Sequence, residues 1–163
     1  MIEKTAVATK EMVRSRFPHD KKTLFRPKAI IECYTEIPCN PCETSCPFDA
    51  ITIGEDINKI PQIDFDICTG CGICVHSCPG LAIMVAMIKN GKAYFKIAYE
   101  LLPLPKVGER WHAINREGEI ITDCKIEQVM VGKKTTNTTN VITVSMEQPY
   151  LYDFITIRRK ANE

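Results

Sequence analysis

The sequence predicts an α+β chain, in which a pseudo-twofold unit built on repeated cysteine motifs is followed by a small antiparallel β-barrel or sandwich. Three observations carry this. Eight of the nine cysteines fall between Cys33 and Cys78. They form two copies of one pattern, each ending in Cys-Pro and followed by Ala-Ile and a short apolar run. From residue 81 onward, short apolar runs alternate with turn residues and helical periodicity is nearly absent, the pattern of a small all-β unit.

Residues 1–28 read as an extended N-terminal arm. Ala6 to Phe17 has the makings of a short helix, with Ala6, Met12 and Val13 apolar, and Phe17-Pro18-His19-Asp20-Lys21-Lys22 ends it. Pro27 biases Arg26 toward extended backbone. The arm has too few apolar residues for a core of its own, so it is expected to be mobile or laid against a partner.

Residues 29–88 form the cysteine unit. Ala29 to Cys33 reads as a strand entering the first set, Cys33-x5-Cys39-x2-Cys42-x3-Cys46-Pro47. Phe48 to Ile53 gives a helical turn running into a short strand, Gly54 to Lys59 a turn, and Pro61 to Asp64 the returning strand. The second set is Cys68-x2-Cys71-x2-Cys74-x3-Cys78-Pro79.

Residues 89–163 form the β-rich unit. Leu81 to Ile88 and Ala93 to Tyr99 flank Asn90-Gly91, the strongest short hairpin signal. Glu109 to Asn115, Ile120 to Val131, Val141 to Met146 and Phe154 to Arg158 supply the remaining strands, with a polar loop at 132–140. Trp111 reads as a core anchor, and Cys124 and His112 as ordinary residues of this unit.

The chemistry lies in the cysteine sets. C-x2-C-x2-C-x3-C-P is the ligand pattern of a bacterial-type [4Fe–4S] site, whose fourth cysteine serves the other cluster where two are present. Each iron of such a cluster is tetrahedral and takes one protein thiolate. Two-residue spacing lets consecutive sulfurs reach three corners of one cube. Gly70 and Gly72 allow the tight backbone turn, and Ile37, Phe48, Ile51, Ile53, Ile63, Ile73 and Ile83 are the expected apolar shell. The sequence therefore calls for two [4Fe–4S] clusters. Structural zinc uses separated pairs of ligands and fits this spacing poorly. His76 lies inside the second loop, whose ligand set is complete without it.

Charge is uneven. Residues 1–28 carry +5, residues 29–88 carry −7 and residues 89–163 carry +3, for a net +1. The acidic middle argues against a nucleic-acid partner, and a basic arm and tail around it fit docking within an assembly. The first residues show no apolar signal-type stretch, and the longest apolar run, Leu81 to Ile88, is too short to span a bilayer. A cytoplasmic location without a membrane span is expected, where clustered cysteines indicate metal rather than disulfides.

Residues 33–83 resemble the two-[4Fe–4S] bacterial ferredoxin family through these motifs. The resemblance implies a ferredoxin-like fold and crossed ligation: cluster one on Cys33, Cys39, Cys42 and Cys78, and cluster two on Cys68, Cys71, Cys74 and Cys46. The x5 spacing between Cys33 and Cys39 departs from the family pattern. More broadly, the basic arm, the run Ile31-Glu32-Cys33 through Cys46-Pro47, and the tail from Gly108-Glu109-Arg110 to Arg158-Arg159 resemble the small iron–sulfur subunits of multi-subunit flavin-dependent amino-acid dehydrogenases of the proline, hydroxyproline and sarcosine-oxidase-like type. That resemblance implies a hetero-oligomer with flavin-containing dehydrogenase subunits. The expected function is one-electron relay from a reduced flavin in the partner to an acceptor, with no catalytic site in this chain. A G-x-G-x-x-G fingerprint is absent, so flavin or nicotinamide is expected elsewhere. The alternatives are a free soluble ferredoxin-type carrier whose β-unit selects partners, and a scaffold in which the clusters only hold the fold.

Overall fold

The computed structural model describes residues 5–161. Helix α1 (Lys10–Arg16) starts at Thr9, whose side chain accepts a hydrogen bond from the Met12 amide. A 3-10 turn at Lys21–Phe25 starts at Asp20, whose carboxylate accepts from the Lys22 amide. These are N-caps that satisfy otherwise orphaned amides. The nine strands are β1 (Lys28–Ile31), β2 (Ile51–Thr52), β3 (Gln62–Ile63), β4 (Ile83–Lys89), β5 (Lys92–Ala98), β6 (Arg110–Ile114), β7 (Ile120–Met130), β8 (Val141–Glu147) and β9 (Thr156–Arg158). Two short helices, α2 (Pro41–Thr44) and α3 (Ile73–Ser77), each follow within a cysteine set.

Seven strands make one antiparallel sheet in the order β1-β4-β5-β8-β7-β6-β9, and β2 pairs with β3 separately. The β4–β5 hairpin turns at Asn90 and Gly91, both at positive φ, as a type I′ turn demands. Strand β7 is long enough to pair with β6 through its first half and with β8 through its second, with a bulge near Ile126 where it bends. All seven strands turn residues toward a single core, from Ile30 on β1 to Ile157 on β9, with Phe95, Ile126, Ile142, Val144 and Phe154 at its centre. Trp111 is buried in that core, as the sequence led us to expect.

The described residues of the arm, from 5 on, pack on the sheet of their own chain. Val13 on α1, Phe17 at the helix's C-terminal cap and Leu24 from the 3-10 turn are buried in the sheet's core. Phe17 meets the Tyr152 ring edge-on at 4.9 Å, and Arg14 and Lys21 lie over the same ring at 5.2 and 5.4 Å. Three apolar residues suffice because the sheet supplies the rest of the core.

Strands β1 and β4 are buried on both faces. Ile30, Met84, Ala86 and Ile88 point into the sheet core. Ala29, Ile31, Ile83 and Val85 point the other way, into a second core shared with Cys42, Ala50, Ile51, Ile53, Cys68, Cys74 and Val75. The register places Ala29 opposite Val85 and Ile31 opposite Ile83 on that second face. The two-stranded ribbon is thus a wall between the sheet core and the cysteine loops. Among the described residues, no helix is long and apolar enough to cross a membrane.

Candidate metal centre

The two cysteine sets fold as two copies of one device. Each ends in Cys-Pro and a turn in which the third residue after the cysteine has positive φ, Asp49 in one and Leu81 in the other. The Asp49 amide donates to the Cys46 carbonyl and the Leu81 amide to the Cys78 carbonyl. The turn then aims the next backbone N–H at sulfur: Ala50 N donates to Cys46 Sγ and Ala82 N to Cys78 Sγ, each at 3.4 Å. A third such bond comes from outside the loops, from Ala29 N on β1 to Cys68 Sγ at 3.4 Å. N–H groups directed at sulfur stabilise the thiolate form.

The eight cysteines sort into two cavities. One is lined by Cys33, Cys39, Cys42 and Cys78, with Ile31, Ile37, Pro61 and Ile83 around them. The other is lined by Cys46, Cys68, Cys71 and Cys74, with Ala29, Phe48, Ala50, Ile51 and Ile73. Each cavity takes three cysteines from one loop and the Cys-Pro cysteine from the other. Burial pushes the Cys42 thiol up to about 11, with Cys78 and Cys39 adding to it. Burial also raises Cys33, again with Cys78 and Cys39 as its thiol neighbours. Cys74 is pushed to about 12, first by burial and then by Cys68, Cys71, Cys46 and Cys42. The two cavities are neighbours, joined where α2 and α3 meet, and Cys42 and Cys74 share one buried cluster. Thiols held this way keep their protons until a metal displaces them.

Most of the expected shell is in place, but Ile37 and Phe48 are about half exposed, 46% and 47%, at the cavity mouths. Cys71 is the one exposed cysteine. Cys124 is fully buried in the sheet core, far in topology from both cavities, and its Sγ donates to the Trp111 carbonyl. His112 pairs with Asp123 at 3.1 Å. His76 is half-buried, and burial pushes its pKa down.

Gly70 and Gly72 sit in the loop as the motif led us to expect, and the structure adds neighbours that the motifs alone do not mark. Gly70, at φ +68, packs so closely on Pro27 that a Cβ there would lie 2.4 Å from the Pro27 carbonyl oxygen. Gly72, at φ +86, is covered by the Lys96 side chain. Lys28 is buried, and its ammonium donates to the carbonyls of Phe65 and Cys68 at 2.5 and 2.6 Å. Arg16 donates from Nη2 to the Cys33 carbonyl at 3.0 Å. Only the run of positive charge in the arm hints at the last two, and it does not say which of its eight basic residues turn inward.

The donor set of both cavities is purely thiol, which suits iron–sulfur clusters. Buried polar atoms without a protein partner, Ser45 Oγ and His76 Nδ1, lie on residues within two positions of Cys46 and of Cys74 and Cys78. Comparison with known proteins agrees. The 4Fe-4S dicluster domain family matches residues 37–82. That segment is an iron–sulfur domain of the ferredoxin type, and its cofactors are two [4Fe–4S] clusters.

The chain is 42% identical over 59 residues to pyruvate synthase subunit PorD of Methanocaldococcus jannaschii, covering 36% of this chain and 64% of that one. It is 35% identical over 66 residues to the ferredoxin-type protein NapF of Haemophilus influenzae, 38% of each. It is 55% identical over 38 residues to one subunit of the Na(+)-translocating ferredoxin:NAD(+) oxidoreductase complex of Acetobacterium woodii, 23% of this chain and 11% of that one. The chain thus spans less than two thirds of the length of these relatives. No solved structure matches.

Proposed function

We propose that this chain is the electron-transfer subunit of an oxidoreductase complex, passing single electrons through two clusters from a reduced flavin in a partner amino-acid dehydrogenase subunit to an acceptor. The observation that carries the reading is the crossed partition of eight cysteines between two adjacent cavities. We assign Cys33, Cys39, Cys42 and Cys78 to cluster one and Cys68, Cys71, Cys74 and Cys46 to cluster two. When bound, each cluster stores and releases one electron. The chain holds its thiolates fixed, directs backbone N–H groups at Cys46, Cys68 and Cys78, and excludes water with the β1–β4 ribbon. Residues 29–88 form the cluster-holding unit in this reading, with 1–28 as its clasp and the β-rich unit of 89–163 as the body that docks on partner subunits in the cytoplasm. Two of the relatives bear names that make them subunits of larger oxidoreductases, which supports the subunit role.

The test is anaerobic purification with iron and mass analysis. About eight irons per chain are expected, co-purifying with a flavoprotein whose substrate bleaches the cluster absorbance. Cys78→Ala removes a ligand of cluster one although it lies in the loop of cluster two, and Cys46→Ala does the converse. A Cys78→Ala chain that loses the cluster anchored at Cys68, and keeps the one anchored at Cys33, would refute the assignment. A lone 163-residue species in native mass measurement would count for a free carrier instead.

A further inference from the structure

The arm places one cation against the first cysteine of each motif. Lys28 reaches the Cys68 carbonyl and Arg16 the Cys33 carbonyl. The two contacts are equivalent positions in the two loops, although Lys28 and Arg16 are unrelated in sequence. Lys28 is only 8% exposed, and its ammonium is held by two backbone carbonyls. Arg16 stacks its guanidinium over the Tyr34 ring at 5.3 Å, and its Nε is buried with no protein acceptor. Among the described residues, neither forms an ion pair with a carboxylate, whereas Lys59, Arg116, Lys125 and Lys160 all do.

A buried charge without a counter-charge is costly, and carbonyl dipoles offset only part of that cost. The missing negative charge has an evident source. A cluster with four thiolates is anionic, and it becomes more so when reduced. A fixed cation beside it therefore favours the reduced form more than the oxidised one.

We propose that Lys28 and Arg16 are the counter-charges of the two clusters, Lys28 for the one anchored at Cys68 and Arg16 for the one anchored at Cys33, and that they hold the reduction potentials up. The proposal rests on the ligand assignment above. It gives the basic arm a role inside the electron path. These are positioning charges, for neither side chain ligates iron.

The experiment is an anaerobic redox titration of the full chain, followed by electron paramagnetic resonance, on Lys28→Met, Lys28→Arg, Arg16→Met and Arg16→Lys. Iron and sulfide per chain are measured first on the unmodified protein. Fewer than about eight irons there sinks the ligand assignment itself, before any variant is compared. A unit charge within about 12 Å, at an effective dielectric near 20, changes the reduced-to-oxidised ratio about tenfold, or about 59 mV for one electron. Lys28→Met should lower one of the two reduction steps by that factor and Arg16→Met the other, while Lys28→Arg and Arg16→Lys stay within about twofold of the parent. The proposal is overturned if the Met variants leave both steps within about twofold, or if both shift the same step equally. Should Lys28→Met fail to hold iron, Lys28→Arg decides: full loading with parental potentials supports the charge, and loss of iron there too means that Lys28 acts by packing and overturns the proposal.

Discussion

Gly70 offers the most direct probe of how the cluster loop is built. It sits at φ +68, and a Cβ there would lie 2.4 Å from Pro27 O and 2.5 Å from Pro27 C. Relieving that to 3.0 Å moves backbone by at least 0.6 Å, the difference between the two distances. Nothing flexible is available to give way, because Pro27 leads directly into β1. Left-handed backbone costs a non-glycine residue about 1–2 kcal/mol, and overpacking adds about 1–3 kcal/mol. Gly70→Ala should therefore cost about 2–5 kcal/mol. Gly91 is the control. It has nearly the same φ, +73, and open space where a Cβ would go, so Gly91→Ala should cost only the conformational part. Gly72→Ala should fall between, since its nearest contact is Lys96 Cδ at 2.9 Å, a side chain that can swing away. Anaerobic denaturant titration of the loaded proteins, with iron per chain measured in parallel, reads the series. If Gly70→Ala unfolds at the same denaturant concentration as Gly91→Ala and keeps its iron, the close packing of Pro27 on the loop does not carry the stability ascribed to it.

Glu32 and Arg116 form a buried ion pair, with side chains 6% and 10% exposed, that ties the strand entering Cys33 to the β6–β7 turn. Arg116 also donates to the Tyr152 and Asp153 carbonyls, and Tyr34 donates to Glu32. Removing one partner strands the other, so Arg116→Met and Glu32→Gln should each cost about 3–5 kcal/mol, and the double variant should recover much of that; singles within about 1 kcal/mol of the parent in chemical denaturation would contradict it. Burial pushes the Cys124 thiol from 9.0 up to about 12. Its protonated form is favoured in the fold, so its contribution is fully present below pH about 9 and is lost as pH rises toward 12. The loaded parent should then lose about 1.4 kcal/mol per pH unit more than Cys124→Ala across that window, and parallel stability curves would count against it. Stripping the iron should melt the 33–82 loops and leave the seven-stranded sheet, seen as new protease cuts confined to those loops with the β circular dichroism retained; cleavage throughout β5–β8 would contradict this.

Much of the site is legible in the sequence because its rules are local. The spacing of Cys68, Cys71 and Cys74 follows from the size of one cube, and Asn90-Gly91 dictates its own turn. The strands of the tail alternate as half-buried strands must. What sequence does not carry is the third dimension. Nothing near Val13, Phe17 or Leu24 tells that a sheet with six of its seven strands at residues 83–158 awaits them. Lys28 closes the basic arm, one residue ahead of the run Ala29 to Cys33 that reads as a strand, and nothing in the pattern tells that it is buried. It is buried because β1 is covered on both faces, a property of the fold rather than of the run. Ile37 and Phe48 err the other way: apolar residues beside the cysteines look like shell, yet the loops leave them at the cavity mouths.

The double burial of β1 and β4 explains why a cluster-holding unit is fused to a β-rich body. Two short cysteine loops with the two-residue strands β2 and β3 bury too little to stand alone without their metal. Here the wall behind them is part of a larger sheet. Ile30 and Met84 face a core that owes nothing to iron, while Ile31 and Ile83, on the same two strands, face the cavity lined by Cys33, Cys39, Cys42 and Cys78. Ala29 is fixed by the sheet, so its N–H meets Cys68 Sγ from a rigid element rather than from the loop itself. The sheet thus preorganises one side of the metal site, and the metal has only to order the loops that close the other.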